Sequence, residues 1–407
     1  MDLPGPVPLD AVIFGGGAAG LWLLHDLRHA GYEAVVLESA SLGAGQTIRS
    51  QGIIHGGLKY SLGELISPAA RAIRDMPLRW RRSLAGEWPP DLSTVRLRAE
   101  FCYLWQTASF KSRLGMMGAR AGLRARPALL PAESRPDVLR ACPGVVARVD
   151  EQVIEPHSLI GVLADLSKGY AIRIDRRSGL EFKASSPGTI DLVRLINPHN
   201  GRPLDLRPRH VIFTAGRGNA ALRERVGLEG STMQRRPLHM VLARGPLPPL
   251  NGHCMDAMGV RATITSTRDF ADRMIWQIGG QIAEDGVHMH TRDLIRHVQS
   301  ELAAILPGLE LQEVKWGTYR ADRAEAASGG KRPSEARAMR EGNTITGWPT
   351  KLALVPQLVE QIRADLPEPA GFEPIDLGML SEWPAPIVAI PPWEEQTWFA
   401  DDSAARD

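Results

Sequence analysis

The chain has 407 residues and a formal net charge of +2, and 43% of its residues are hydrophobic and 23% charged. A chain of this length is expected to form about two domains. The near-neutral charge gives no indication of nucleic acid as a partner. No signal peptide is expected, because the N-terminus has no basic region and no long apolar stretch before Asp10. No membrane-spanning helix is expected either, because no apolar stretch approaches the ~18 residues that a span requires. Peripheral contact with a membrane stays open.

The three cysteines, Cys102, Cys142 and Cys254, form no CxxC pair. This pattern indicates neither a disulfide framework nor a zinc site, and it is typical of a protein in a reducing cytoplasm. Other possible ligands, such as Glu284 and His288, lack the spacing of a metal site. The sequence therefore predicts a cytoplasmic protein with no metal.

The first predicted elements are a strand, a glycine-rich turn, a helix and a second strand. Residues 11–14 form a short continuous apolar run, which is typical of a strand buried on both faces. A helical apolar pattern over 21–27 follows the turn, and Gly31 stands where a helix C-cap belongs. Residues 34–37 form the second apolar run, with Glu38 at its end. This order is that of a Rossmann-type βαβ unit.

The turn has the pattern Gly-x-Gly-x-x-Gly, formed by Gly15, Gly17 and Gly20. The first glycine allows the tight turn, the second lets the backbone approach a pyrophosphate, and the third lets helix and strand pack closely. The helix N-terminus offers N–H groups and a positive dipole end to the phosphates. Glu38 is placed to accept hydrogen bonds from ribose hydroxyls and would repel a 2′-phosphate, which disfavours NADP. The turn by itself does not distinguish NAD from FAD.

Residues 43–60 differ from the βα units that usually continue a nicotinamide-dependent dehydrogenase. They contain many glycines and small polar residues, which indicates a loop whose backbone amides contact a flat, polar ligand. Within this loop, residues 49–60 read RSQGIIHGGLKY. Further along, residues 214–216, TAG, follow another predicted buried strand, and residues 347–351, GWPTK, lead into a helical pattern.

These three segments resemble the cofactor contacts of the D-amino-acid-oxidase-like superfamily of FAD-dependent oxidoreductases. The resemblance is nearest to the branch that holds FAD-dependent glycerol-3-phosphate dehydrogenases and L-2-hydroxyglutarate oxidases. It implies bound FAD, and leaves open whether the flavin is covalently attached. The FAD-contacting residues that it implies are Gly15, Gly17, Ala18, Ala19, Gly20, Glu38, Ser39, Arg49, Ser50, Gln51, Gly52, His55, Gly56, Val153, Ala215, Gly216, Gly347, Pro349, Thr350, Lys351 and Leu352.

The Rossmann elements are scattered along the chain, which predicts an interleaved arrangement. The expected fold is α/β (α+β overall), with a Rossmann-type FAD-binding domain interleaved with a smaller antiparallel-sheet substrate domain. Residues 383–407, rich in Pro and Trp and then acidic, are expected to lie extended across the body or to fray. The expected domains are residues 9–100, 150–235 and 315–370 for FAD binding, and residues 101–149 and 236–314 for the substrate.

Catalysis of this kind removes a hydride from the C–H bond next to an alcohol or amine and needs a group that takes the heteroatom's proton. His55 is the candidate base because it lies in the matched loop; a structural role and flavin attachment are the alternatives. Arg320 or Arg323 is expected to hold the substrate's anionic end. The family's Gly-x-Arg-Pro pattern reads GTYRADR here, so the choice between them stays open. The candidate pocket residues of the substrate domain are His239, Trp276 and Gln277.

The sequence therefore predicts an FAD-dependent dehydrogenase or oxidase of a small, anionic 2-hydroxy acid, amino acid or polyol phosphate. Its electron acceptor would be oxygen, a quinone or a carrier protein. Two alternatives stay open. The first is a non-redox binding scaffold of the same fold, as in GDP-dissociation inhibitors, although the loop at 43–60 argues against it. The second is a flavoprotein acting on a carrier-bound biosynthetic intermediate, with the Trp-rich tail as a docking surface.

Overall fold

The structure is a computed structural model that describes residues 5–56, 68–107, 127–256, 259–330, 333 and 335–400. Residues 57–60, the end of the segment that resembles a flavin-contacting loop, lie outside the described residues. The described residues form two eight-stranded sheets, a two-stranded ribbon and the helices that cover them. This architecture confirms the predicted α/β fold class.

The elements are numbered in chain order. The strands are β1 (Val7–Phe14), β2 (Ala34–Glu38), β3 (Leu97–Ala99), β4 (Cys102–Gln106), β5 (Ala128–Leu129), β6 (Val146–Val149), β7 (Val153–Ile154), β8 (Ala171–Arg173), β9 (Leu180–Ser186), β10 (Thr189–Ile196), β11 (Pro203–Phe213), β12 (Met233–Arg244), β13 (Gly252–Asp256), β14 (Gly259–Arg268), β15 (Met274–Gly279), β16 (Lys315–Ala326), β17 (Arg337–Glu341) and β18 (Thr344–Trp348). The helices are α1 (Ala18–His29), α2 (Pro68–Leu84), α3 (Asp137–Arg140), α4 (Pro156–Leu166), α5 (Asn219–Arg225), α6 (Gln281–Asp285), α7 (Thr291–Ile305), α8 (Val355–Ala364) and α9 (Leu377–Ser381).

The first sheet has the order β17-β18-β11-β1-β2-β8, in which the strands from β18 to β8 are parallel and β17 is antiparallel to β18. Strand β10 joins β11, with β9 beyond it. β1 is parallel to β2 and β11, and β11 is parallel to β18. The register places Phe14 beside both Leu37 and Phe213. Because these strands run in the same direction and end at the same level, their carboxyl ends form one edge of the sheet, where doubly wound folds bind their ligands.

Both faces of β1 are buried, as its continuous apolar run predicts. Ile13 packs in the core that also contains Leu24 of α1 and Leu358 of α8. Val12 packs in the core on the opposite face, since successive side chains of a strand point in opposite directions. α1 ends at His29, and Gly31 follows with φ +86°, so the predicted glycine stop is confirmed.

The second sheet follows the order β16-β12-β15-β14-β13-β4-β6-β5 and is antiparallel except where β13 pairs with β4. Helix α7 covers it, because Leu294, Val298 and Leu302 along one face of the helix pack in the same core as Val241 and Trp276. This helical spacing of three or four residues is typical of an amphipathic surface helix.

One segment joins a different sheet from the one expected. Residues 315–370 were assigned to FAD binding, but β16 pairs along its whole length with β12, from Met233 opposite Ala326 to Arg244 opposite Lys315. It is therefore an edge strand of the second sheet. The sequence pattern of a strand shows which residues are buried, but it does not show which distant strand supplies the hydrogen bonds.

The chain beyond α9 lies extended across the surface of both sheets. Leu42 donates its backbone N–H to Ile387 at 2.8 Å, and Ala389 donates to Leu42 at 2.9 Å. Further on, Trp316 and Phe399 exchange two backbone hydrogen bonds of 2.8 Å each. The described part of the tail, up to residue 400, is thus attached to the loop after β2 and to β16. No helix in the described ranges is long and apolar enough to cross a membrane.

Candidate active site

The glycine-rich turn connects β1 to α1, and the packing of the protein itself requires its first and third glycines. Gly15 has φ +108°, and a Cβ there would lie 2.6 Å from the Cα of Ala215. A Cβ on Gly20 would lie 1.9 Å from the carbonyl oxygen of Gly15. A Cβ on Gly17 would meet Thr47 Oγ1 at 3.4 Å, an ordinary contact. The middle glycine therefore keeps backbone accessible where a pyrophosphate would approach.

The turns expected to contact the nucleotide converge at the carboxyl edge of the first sheet. The glycine turn follows β1, Glu38 ends β2, Ala215 follows β11 and Gly347 lies in β18. These strands are neighbours in the order β18-β11-β1-β2. The structure thus brings together turns that lie far apart in the chain. The other expected contacts at or next to this edge are Ala18, Ala19, Ser39, Gly216, Pro349, Thr350, Lys351 and Leu352.

Glu38 holds the glycine turn as well as facing the nucleotide edge. Its Oε2 accepts the backbone N–H of Gly16 at 2.7 Å, and its Oε1 accepts the backbone N–H of Ala40 at 2.8 Å. Each carboxylate oxygen can accept two hydrogen bonds. Glu38 therefore keeps the capacity to accept ribose hydroxyls while it orders the turn.

The loop between β2 and α2 reaches from the first sheet to the second. Gln51 donates its side-chain amide to the backbone carbonyls of Thr263 at 3.1 Å and Gln277 at 3.0 Å. Gly52 has φ +73°, and a Cβ there would lie 2.0 Å from the carbonyl oxygen of Ile154. The glycine at this position is therefore explained by close backbone contact. The adjoining Val153, another expected FAD contact, pairs with Ile53 and is fully buried.

At His55 the same loop contacts a buried carboxylate and a second histidine, which come from other parts of the chain. Glu151, with 1% of its side chain exposed, places Oε2 3.3 Å from Nδ1 of His55 and 3.3 Å from Nε2 of His253. Its Oε1 accepts the backbone N–H of Gly56 at 2.7 Å. His253 is fully buried, whereas His55 keeps 25% of its side chain exposed. Of the two rings, His55 is therefore the one that reaches solvent.

The electrostatics of this cluster keep Glu151 ionised. Burial by itself would raise the pKa of the Glu151 carboxyl, because a charge is poorly solvated in the interior. Electrostatic attraction to His55 and the hydrogen bonds from His253 and His55 outweigh that effect and hold the pKa of the carboxyl well below its usual range. The same negative charge, added to burial, raises the pKa of the nearby Cys102 thiol, which stays protonated.

The sequence predicts no metal site, but that prediction considered other residues than the cluster of His55, Glu151 and His253. The donor atoms of His55, Glu151 and His253 lie within 4.8 Å of one another and could hold a metal ion. These residues are 96 and 102 positions apart in the chain, so no local spacing indicates them. Hydrogen bonds between the imidazoles and the carboxylate account for the same contacts.

The two candidate anion-binding arginines differ in their surroundings. Arg320 is exposed, donates to the carbonyl of Val287 at 2.8 Å and lines a cavity of about 380 Å³ together with Arg49. Arg323 forms an ion pair with Glu284 at 3.0 Å and does not line this cavity. The cavity lies between the loop after β2, strand β16 and the tail. Its lining comprises Ser41, Ala44, Ile48, Arg49, Tyr319, Arg320, Ile387, Val388, Ala389, Ile390, Pro392, Glu395 and Gln396.

Of the three expected pocket residues, Gln277 alone faces the loop that carries His55. Trp276 is fully buried in the core under α7, and its indole N–H donates to the carbonyl of Pro248 at 2.8 Å. Gln277, the next residue, points to the other face of the sheet and donates to Tyr319 Oη at 3.0 Å. His239 is buried, with Nδ1 3.1 Å from the carbonyl of Gly286. Trp276 and His239 therefore have structural surroundings.

Sequence reasoning did not select several residues of this region. Glu151 follows a short strand with no recognisable motif. His253 was considered together with His239 as a histidine of the expected substrate domain, and no pattern assigned it a role. Arg98, with 3% of its side chain exposed, pairs with Glu155 and donates to Gln277 Oε1 at 2.8 Å. Each of these contacts joins residues separated by more than fifty positions in the chain, so the fold alone brings them together.

Comparison with known proteins identifies the family. Residues 10–340 match the DAO family, described as FAD dependent oxidoreductase. The chain is also similar to PA4991 of Pseudomonas aeruginosa strain PAO1, a probable FAD-dependent oxidoreductase. The two are 40% identical over 400 residues, which cover 96% of this chain and 99% of the relative. The chain belongs to the DAO family.

Solved structures agree with this assignment. The crystal structure of PA4991 superposes with a TM-score of 0.79 at 37% identity and covers 96% of this chain and 99% of its own. Glycine oxidase from Geobacillus kaustophilus has a TM-score of 0.63 at 15% identity, covering 94% of this chain and 100% of its own. L-α-glycerophosphate oxidase from Mycoplasma pneumoniae has a TM-score of 0.60 at 13% identity, covering 95% and 97%. The last two show the shared fold.

The DAO assignment establishes an FAD-dependent oxidoreductase and confirms the family predicted from the glycine-rich segments. The residues present fit the cofactor, since Gly17 leaves backbone accessible at the N-terminus of α1 and Glu38 retains acceptor capacity beside it. Membership of an enzyme family favours catalysis over the non-redox scaffold of the same fold.

Proposed function

We propose that this DAO-family enzyme oxidises a small, anionic substrate at the C–H bond next to an alcohol or amine. Bound FAD supplies the acceptor for the hydride. The chain would supply the base, the anion grip and the enclosure. The observation that carries the proposal is His55, held by the buried Glu151 in the loop that continues from the nucleotide-binding turns.

His55 is proposed as the base that takes the proton from the substrate's hydroxyl or amine. An imidazole can take and release a proton near neutral pH, which suits a general base. Partial exposure allows a substrate to reach the ring, whereas the fully buried His253 is not accessible in this way. We also propose that the backbone of this loop contacts FAD.

An anionic substrate is supported by the charge around the cavity beside β16. Arg49 and Arg320 both line it, and a guanidinium binds carboxylate or phosphate through parallel hydrogen bonds. Arg320 is preferred to Arg323 as the grip, because Glu284 already neutralises Arg323. The names of the structurally similar glycine oxidase and L-α-glycerophosphate oxidase also refer to small compounds that have a carboxylate or a phosphate.

We further propose that the two sheets bind different molecules. The first sheet would hold FAD and the second, including β16, would hold the substrate. Oxygen, a quinone or a carrier protein would then take the electrons. The three cysteines are free and buried, which supports the reducing cytoplasm expected from the sequence.

Anaerobic reduction by a substrate panel tests the proposal. The holoenzyme is mixed with glycine, L-proline, L-2-hydroxyglutarate and glycerol 3-phosphate, and the loss of flavin absorbance at ~450 nm is followed. Prolinamide and glycerol are the matched controls, because each lacks the carboxylate or phosphate of its counterpart. We expect one compound with a carboxylate or phosphate to bleach the flavin faster than the counterpart that lacks this group. Equal bleaching with and without the anionic group would contradict its recognition by arginine, and no bleaching by any member would contradict the substrate class.

Replacement of His55 by Gln tests the base. We expect flavin reduction by the active panel member to slow by about 10²-fold or more, because the proton loses its acceptor. Stopped-flow absorbance under anaerobic conditions measures the rate, and the FAD content of the purified variant is expected to stay unchanged. His199→Gln, at an exposed position, serves as the control. An unchanged rate in His55→Gln refutes the assignment.

A further inference from the structure

We propose that Glu151 is a positioning residue, whose buried carboxylate holds His55 in the tautomer protonated on Nδ1 and so makes Nε2 the proton-accepting atom. This inference rests on the proposed function, in which His55 is the base. Nothing in the sequence indicates the role, since Glu151 and His55 are 96 residues apart.

The first step is the orientation of the carboxylate. Oε1 of Glu151 accepts the backbone N–H of Gly56 at 2.7 Å, so one oxygen is anchored by the residue that follows His55. Oε2 then faces both imidazoles, at 3.3 Å from His55 Nδ1 and 3.3 Å from His253 Nε2. The side chain is 1% exposed, and water does not compete for these positions.

The second step is the assignment of hydrogens. An ionised carboxylate can only accept hydrogen bonds, so the two nitrogens that face Glu151 must carry hydrogens. In neutral His55 that leaves the lone pair on Nε2. In neutral His253 it leaves the lone pair on Nδ1, which lies 2.9 Å from Oγ1 of Thr263 and can accept its hydroxyl hydrogen. One set of tautomers thus satisfies the hydrogen bonds between Glu151 and the two imidazoles and the one between His253 and Thr263.

The third step is the charge that develops when His55 takes a proton. The imidazolium then lies beside the Glu151 carboxylate in a largely buried environment, where an opposite charge stabilises it more than water would. The same logic applies to the carboxylate of a Ser-His-Asp triad, which orients its histidine and stabilises the imidazolium. The groups that face Glu151 are His55, His253 and the buried Cys102 thiol.

Glu151→Gln is the decisive variant, because it keeps the shape of the side chain and replaces one accepting oxygen with an N–H donor. The amide oxygen can still accept the Gly56 N–H, while the amide N–H group faces the imidazoles. His55 would then accept at Nδ1 and carry its hydrogen on Nε2. We expect flavin reduction by the active panel member to fall about 10²- to 10⁴-fold, as expected for a wrong tautomer, with KM and FAD content changed by less than about threefold.

A second readout does not depend on activity. Nitrogen-15 NMR of histidine-labelled holoenzyme distinguishes the two neutral tautomers, and the His55 signal is assigned by its loss in His55→Gln. We expect the Nδ1–H tautomer in the wild type and the Nε2–H tautomer in Glu151→Gln. The Nε2–H tautomer in the wild type overturns the inference, even if the variant fails to fold.

Glu325→Gln is the matched control for removal of a buried carboxylate. Glu325 is also 1% exposed and pairs with Arg236 at 2.7 Å, on β16 and β12. We expect Glu325→Gln to lower the melting temperature without slowing flavin reduction. If Glu151→Gln behaves like Glu325→Gln, Glu151 is structural and the inference is wrong. If His55→Gln leaves the rate unchanged, the proposed function fails instead.

The remaining possibility is that His55, Glu151 and His253 bind a metal ion. Metal analysis of the purified holoenzyme tests it. About one equivalent of a transition metal that is absent from Glu151→Gln would make the cluster a metal site and overturn the hydrogen-bonding role. Less than about a tenth of an equivalent in both proteins supports it.

Discussion

Gly17 and Gly20 lie in one turn but differ in what surrounds them. An alanine at position 20 would place its Cβ 1.9 Å from the carbonyl oxygen of Gly15, so β1 and α1 must separate. We expect Gly20→Ala to destabilise the protein by ~1–3 kcal/mol or more, as overpacking does, and to lose FAD. Differential scanning calorimetry and the flavin content of the purified protein measure both effects.

Gly17→Ala is the matched comparison at the same scale. Its Cβ would lie 3.4 Å from Thr47 Oγ1, an ordinary contact, so the protein itself can accommodate it. We expect a loss of stability of the FAD-free protein below ~1 kcal/mol, together with clearly weaker FAD binding, because the methyl group occupies the surface that the pyrophosphate approaches. Equal losses of stability in both variants would contradict this distinction.

Single residues were predictable where their local backbone demands them. Short-range geometry explains the glycines of the first turn, Gly31 after α1 and Glu38 at the end of β2. The structure places these residues where the sequence predicts them. Glu151 has no such local requirement. Its role depends on two histidines from distant parts of the chain, and no periodic pattern in the sequence predicts such a contact.

Among the elements, the tail after α9 has the least regular structure and yet is firmly packed. Trp393 is 2% exposed and lies in the core that contains Met240, Leu242 and Tyr319. Glu394 accepts the backbone N–H of Phe270 at 2.8 Å. Because seven tail residues between positions 387 and 396 line the cavity beside Arg320, the tail forms one wall of the proposed substrate region.

Trp393→Ala tests whether that anchor holds the wall in place. Removal of a buried Trp side chain is expected to cost ~3–5 kcal/mol, to lower the melting temperature and to expose the tail to limited proteolysis. Trp88→Ala is the control, since Trp88 is 40% exposed and contacts Arg82 at 4.3 Å from the ring centroid. Similar protease resistance in both variants would show that Trp393 does not anchor the tail.

Strand β16 shows where prediction at the scale of elements stops. Its apolar and polar residues identify a strand, which was expected within the FAD-binding domain. The structure pairs it with β12, a strand of the second sheet that lies far upstream in the chain. Strand β15 was expected in the second sheet and is found there. The two residues selected on it, Trp276 and Gln277, point to opposite faces, and Trp276 is fully buried in the core under α7.

In the whole molecule, the two sheets are joined by buried polar contacts as well as by the tail. Gln51 from the first half donates to strands β14 and β15. Tyr319 on β16 donates its hydroxyl to the carbonyl of Arg49 at 3.0 Å. Burial raises the pKa of Tyr319 to about 12, so the hydroxyl keeps its hydrogen at physiological pH. The loop that carries His55 is therefore supported from both sheets.

The sequence alone determined the nucleotide-binding half of this protein, because glycine turns, buried strands and their capping residues are local patterns with local physical causes. It also indicated the FAD-dependent family through the loop that contains His55. The tertiary structure decided which arginine lines the cavity, which sheet contains β16 and which carboxylate contacts His55. Such contacts join residues that are distant in the chain, and only folding brings Glu151, His253 and His55 to hydrogen-bonding distance.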